Sequence, residues 1–199
     1  MAVVLGFIKM VNNNNKLNAL GSNIQQQIIT NQFDVDPSRL TKTEMFDMLK
    51  SFMNSDLADS IELINTNPAE FNRKLVYNHV IKYRYKFQVV VNDQFRVGQI
   101  IEEDLTNSEP IVKKLSLMFY DVAIYEDDQI TTGNGDKQLE EIQKKLEEVI
   151  TCDPRIIESD ITSEKITTFA LALMAYGVMK CKVLLNPNLA EGENVDITR

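Results

Sequence analysis

The sequence predicts an α+β fold, predominantly α: a helical bundle with one protruding β-hairpin and terminal extensions. Two observations carry this. Apolar residues recur at three- and four-residue spacing within 45–53, 111–125 and 139–150, whereas from 81 to 91 they alternate strictly with polar ones. The ends differ from both: residues 1–40 read as an N-terminal arm or strand and 186–199 as a C-terminal tail. Between them, 41–185 forms the helical domain, with its hairpin at 80–101.

In chain order, residues 2–11 form an apolar arm or short strand, ended by the asparagine run 12–15, and 25–29 fits no single period. Thr41 and Glu44 have the spacing of a capping box, in which side chain and backbone donors satisfy each other at a helix start. Met45, Met48, Leu49, Phe52 and Met53 then share one helical face, compliant because it is rich in methionine. A second start stands at Asn67-Pro68-Ala69-Glu70, with asparagine as cap and proline at the first helical position. Phe71, Leu75 and Val76 carry that helix's apolar side.

The period then changes. Ile81, Tyr83, Tyr85, Phe87, Val89 and Val91 take the odd positions, and Lys82, Arg84, Lys86 and Gln88 take even ones. Successive side chains on a strand point to opposite faces, so this pattern predicts a half-buried strand. Asn92-Asp93-Gln94 supplies the turn and 95–101 the returning strand.

Residues 108–126 read as a helix capped by Ser108, with Pro110 in its first turn. Ile111, Leu115, Met118, Val122 and Tyr125 form its stripe; Lys113, Lys114, Tyr120 and Asp121 fall on the other side. A loop at 131–135 follows, and Asp136 caps the clearest helix of the chain. Its stripe is Leu139, Ile142, Leu146, Val149 and Ile150, and Glu140–Lys144 and Glu141–Lys145 are pairs in the favourable order. The last helix, 163–184, is apolar nearly all round, which suits a central core helix or an oligomer interface. Asn186-Pro187 stops it.

Composition excludes several classes. The 199 residues carry 21 Lys/Arg against 29 Asp/Glu, a net charge of −8, and 44% are apolar, so the chain is neither disordered nor collagen-like. Two cysteines support at most one bridge and read as free thiols of a reducing compartment. One histidine excludes a multi-histidine metal site within one chain. The longest uncharged apolar run late in the chain, 169–179, falls short of the about 20 residues a membrane span needs. The N-terminal apolar run lacks the basic residues and cleavage site of a secretory signal, so no membrane partner and an intracellular location are expected.

Charge is segregated: six cations and one acid lie between 73 and 96 in an otherwise acidic chain. One reading makes Lys82, Arg84, Lys86 and Arg96 a partner-binding face for nucleic acid or for another copy of this acidic protein. The other is local pairing with Glu102, Glu103 and Asp104 on a solvated hairpin. Tyr83, Tyr85 and Phe87 resemble a base-stacking platform, but alternation sets them opposite the cations, so core packing is expected of them.

The acids Glu126-Asp127-Asp128 and Asp34 with Asp36 offer oxygens to Mg²⁺ or Ca²⁺. Residues 127–138 do not follow the calcium-hand pattern, since Thr132 takes the glycine position and Gln138 that of the terminal glutamate. No Gly-rich phosphate loop, HExxH or CxxC occurs. A thiol nucleophile, Cys152 or Cys181, would have to recruit His79, which capping or packing explains better; Cys181 on an apolar face reads as a small hydrophobe. No catalytic, cofactor-binding or metal residue, and no cofactor, is therefore assigned.

The Pro-led helix Glu109-Pro110-Ile111-Val112-Lys113-Lys114, running on to Tyr125-Glu126, resembles helical head-to-tail adaptor proteins of tailed phages. That resemblance implies a ring-forming virion connector around a DNA channel, hence proximity to nucleic acid and a place in the virion. Together these readings describe a non-catalytic structural or assembly protein whose partners are copies of itself and other structural proteins. Two alternatives stay open: a monomeric binding module or inhibitor engaging a partner through the basic hairpin, and a metal-dependent enzyme using the acidic clusters.

Overall fold

The computed structural model describes residues 39–55, 69–105, 107–127, 129–180 and 182–190. The expected arm at 2–11, the asparagine run, the 25–29 segment, Asp34, Asp36, Asn67, Pro68, Asp128 and Cys181 lie outside them. Helices dominate: α1 (Lys42–Met53), α2 (Phe71–Tyr77), α3 (Lys82–Val89), α4 (Val91–Gln99), α5 (Glu109–Val122), α6 (Gly135–Thr151), α7 (Pro154–Ile157), α8 (Ser163–Met179) and α9 (Pro187–Ala190). A π-helical turn, Ile100–Asp104, prolongs α4. One antiparallel pair, β1 (Ile124–Glu126) and β2 (Gln129–Thr131), sets Ile124 opposite Thr131. The fold class is therefore predominantly α, with a single hairpin among the described residues. Among the described residues no helix is long and apolar enough to cross a membrane.

The capping box of α1 forms as its spacing requires: Thr41 Oγ1 accepts the Glu44 N–H at 3.2 Å, and Glu44 Oε2 accepts the Thr41 N–H at 2.7 Å. Met45, Met48, Leu49 and Phe52 are buried, and so is Leu40 just before the helix. The α6 stripe of Leu139, Ile142, Leu146 and Ile150 is likewise buried. Its cap, however, is Asn134, whose Oδ1 accepts the Lys137 N–H at 3.1 Å. Of the two expected pairs, Glu140–Lys144 forms at 3.3 Å, while Lys145 turns to Asp121 on α5.

Helix α8 is the central element, packed by α1 through α6. Ten of its residues, from Ile166 to Val178, are buried, on more than one side of the helix, which accounts for its nearly all-round apolar character. It stops five residues before the expected end. The Lys182 N–H returns to Gly177 O at 2.9 Å, folding the chain back onto the helix. A Cβ on Gly177 would stand 2.8 Å from Val183 Cγ2, so a larger residue there would have to displace Val183. The next residues are not a free tail, for Asn186, Pro187 and Asn188 are buried.

The hairpin at 80–101 does not exist; the chain forms α3, α4 and the π turn. Tyr83, Phe87, Val90, Val97 and Ile101 are buried, and they follow a helical series. The alternation satisfied both periods, because positions four apart are also two steps of two. Burial of one helical face against α8 and α6 resolves the ambiguity, with Tyr83 and Phe87 rings 5.8 Å apart and Phe87 edge-on to Phe71 at 6.0 Å. The real hairpin begins inside the segment read as helix. Ala123 turns extended after Val122, and Tyr125 sits exposed on β1 with its hydroxyl donating to Tyr120 O at 3.0 Å.

Three further starts and faces differ. Helix α2 begins at Phe71, capped by the Glu70 carboxylate rather than by Asn67. Asn107, not Ser108, accepts the first N–H of α5. Lys114, expected on the outer side of α5, is buried, and its ammonium donates to the Phe52 carbonyl at 3.3 Å, to Met53 O and to Ser55 O at 2.7 Å. Lys74 does the same for α8, donating to Val178 O at 3.1 Å. Both cations close carbonyl ends of helices, where the helix dipole favours positive charge.

Candidate docking surface

The face to which the sequence assigned partner binding is built by α3 and α4, so its side chains are distributed by a helical period. The start of α3 is held from outside. Ile81 has no capping side chain of its own, and the Asp136 carboxylate on α6 accepts the N–H groups of Ile81, Lys82 and Tyr83 at 3.0, 2.8 and 2.9 Å. Partial burial raises the Asp136 pKa, but these three donors and Lys82 outweigh it and leave the carboxyl below its ordinary value.

The flank facing α6 is fully engaged. Tyr83 Oη donates to Gln143 Oε1 at 2.7 Å, and Lys86 Nζ donates to the same oxygen at 3.1 Å while lying 4.2 Å from the Tyr83 ring centroid. Burial pushes the Tyr83 hydroxyl well above its usual range, with Glu140, Glu147 and Asp136 adding to it, so Tyr83 stays a neutral donor. Burial also lowers the Lys86 pKa, helped by Lys82.

The four sequence-assigned cations thus separate. Lys86 is tied to Gln143; Lys82 lies 3.9 Å from Glu140; Arg96 pairs with Asp93 at 3.1 Å. Arg84 alone of the four is exposed without a hydrogen bond or ion pair to the described residues. Two of the three acids expected to neutralise them pair elsewhere, Glu102 with Lys180 at 2.6 Å and Asp104 with Lys42 at 2.7 Å.

What sequence reading missed is an apolar surface. Ile81, Tyr85 and Val89 lie at i, i+4 and i+8 along the outer side of α3 and are 70, 67 and 83% exposed; Phe95 on α4 is 62% exposed. Val91 adds to the same helix pair. Single exposed apolar residues are ordinary, whereas several on adjoining helices make a candidate docking surface. The helical period also returns Arg84 to the side of Tyr85, the neighbourhood that a strand would have forbidden. The signal was present in the sequence: the odd positions left over once Tyr83 and Phe87 are buried are Ile81, Tyr85, Val89 and Val91.

The other candidates are dispersed. Glu126 and Asp127 stand exposed at the hairpin turn, where Asp127 takes a left-handed φ of 49°. Among the described residues no three His, Cys, Asp or Glu side chains converge on a metal-sized site. His79, with φ of 56°, directs Nδ1 at Gly133 O, 3.4 Å away, and Cys152 is exposed at the end of α6. An open groove of about 360 Å³ between α2 and α9 is lined by Asn72, Arg73, Val76, Tyr77 and Pro187, with Arg73 donating to Asn188 Oδ1 at 3.0 Å.

No protein-family model, curated protein or solved structure matches this chain.

Proposed function

We propose that the protein is a non-catalytic assembly protein that self-associates, with the outer face of α3 and α4 as its docking surface. The observation that carries this reading is the exposed row Ile81, Tyr85 and Val89 along α3, with the unpaired Arg84 on the same helix and Phe95 exposed on α4. Burying such side chains against a partner contributes about 25 cal/mol per Å² of apolar area. Lys82, Lys86 and Arg96 each have a partner within the molecule, so the contact is chiefly apolar, with Arg84 giving it direction.

The virion-connector reading is a finer form of the same proposal. It rests on α5, since Tyr125 and Glu126 of the adaptor-like stretch belong to β1. Its mark is a closed ring in electron micrographs.

Light scattering coupled to size exclusion tests the proposal. A discrete oligomer is expected that weakens only several-fold in high salt and dissociates in Val89→Asp. A monomer at every concentration and salt overturns it and leaves the face to a different partner.

A further inference from the structure

We infer that the α3–α4 face receives the β1–β2 hairpin of a second copy of this chain. The inference rests on the self-association proposed above and names the surface that meets the face. The charges left over on the two surfaces are opposite: Arg84 on α3 has no hydrogen bond or ion pair to the described residues, and the carboxylates of Glu126 and Asp127 at the hairpin turn have no ion pair to them.

The hairpin has the apolar content that the face lacks a partner for. Ile124 is exposed and Tyr125 is 57% exposed, next to the exposed Glu126 and Asp127, neither of which forms an ion pair with the described residues. Its base is fixed. Gln138 Nε2 donates to Val122 O at 3.2 Å, and Ile124 lies so close over Gly133 that a Cβ there would fall 2.6 Å from Ile124 Cδ1. A short projection held at its base enters a contact without a large ordering cost. Among the described residues both strands are edge strands, with outer N–H and C=O groups unpaired in any sheet.

A like-with-like contact of two α3–α4 faces would offer Arg84 no free acid from either helix, since Asp93 already pairs with Arg96, which disfavours it. Face against hairpin instead sets Arg84 opposite Glu126 and Asp127, and Tyr125 against the Tyr85–Val89 row. Two unlike patches on one chain define a heterologous contact, which closes a ring or a reciprocal dimer according to the rotation it imposes.

The test is a charge exchange in the full-length chain. Arg84→Glu and Glu126→Arg are both at exposed positions, and circular dichroism and thermal melting confirm that each variant folds. Each alone is expected to weaken self-association about tenfold, and an equimolar mixture to recover it through alternating chains, read by native mass spectrometry. Association that Glu126→Arg leaves unchanged, or a mixture that fails to recover, overturns the hairpin as occupant while the self-association proposal stands. A wild-type chain that is monomeric throughout overturns both, and the face then serves a different protein or another segment of its own chain.

Discussion

The Asp136 carboxylate, on the first turn of α6, accepts the backbone N–H of Tyr83 at 2.9 Å, so one helix sets where another begins. The bond spans 53 residues of sequence and orients the whole outer face of α3. Tyr83 points inward to Gln143, and with that side fixed Tyr85 must point out.

Asp136→Ala is expected to destabilise the fold by about 1–2 kcal/mol at neutral pH, the usual cost of losing a cap. Because the folded-state pKa of Asp136 lies below its ordinary 3.8, the stabilisation is fully present above that value. It is lost as pH falls through the folded-state value. Urea denaturation of wild type and variant should therefore show a gap at pH 7 that closes in strong acid; a gap independent of pH would remove the carboxylate from this role.

Tyr83, Tyr85 and Phe87 should respond unequally to truncation. Phe87→Ala should cost about 3–5 kcal/mol and Tyr83→Ala a comparable amount. Tyr85→Ala should stay within about 0.5 kcal/mol of wild type in monomer stability. Three equal losses would restore the strand reading of this segment, in which all three side chains share one face.

Lys114→Met removes the donor that serves the carbonyls of Phe52, Met53 and Ser55 at the end of α1. Those groups are then buried without their cation, and a loss of about 2–4 kcal/mol is expected. Hydrogen exchange should localise the loosening to α1 and to its contacts with α5. Uniform exchange across the molecule would contradict a local capping role.

Gly135→Ala tests the junction between α2 and α6. The Gly135 N–H donates to Asn78 O at 2.9 Å, and a Cβ there would lie 2.3 Å from that oxygen and 2.5 Å from Val80 Cγ2. Asn78 in turn donates to Lys74 O and Leu185 O, both at 2.9 Å, and accepts the Leu185 N–H at 3.0 Å. The added methyl should cost about 1–3 kcal/mol. An unchanged melting midpoint would show that the junction yields freely.

Local chemistry made several elements legible. The α1 capping box needs only Thr41 and Glu44, three residues apart, and the stripes of α1, α5 and α6 run long enough for one period to prevail. The apolar circumference of α8 likewise pointed to a central core helix or an oligomer interface, and within the described residues it lies at the centre of the core. The partner-binding cations were legible as a cluster on the chain, but their pairing was not, because Gln143 and Glu140 come from a helix more than fifty residues on.

What the sequence by itself determined, then, is the predominantly helical class, the buried faces of its long helices and an uneven charge map. Tertiary structure alone decided that 82–99 is helical, that the hairpin lies at 124–131 and that Lys114 is a core cation. The physical reason is common to all three. Residues 81–91 satisfy a period of two and, through Tyr83, Phe87 and Val90, a helical period as well, so local preference is nearly balanced. The balance is tipped by groups distant in sequence: the Asp136 carboxylate that caps α3, the uncovered side of α8, and the open carbonyl end of α1 that draws Lys114 inward.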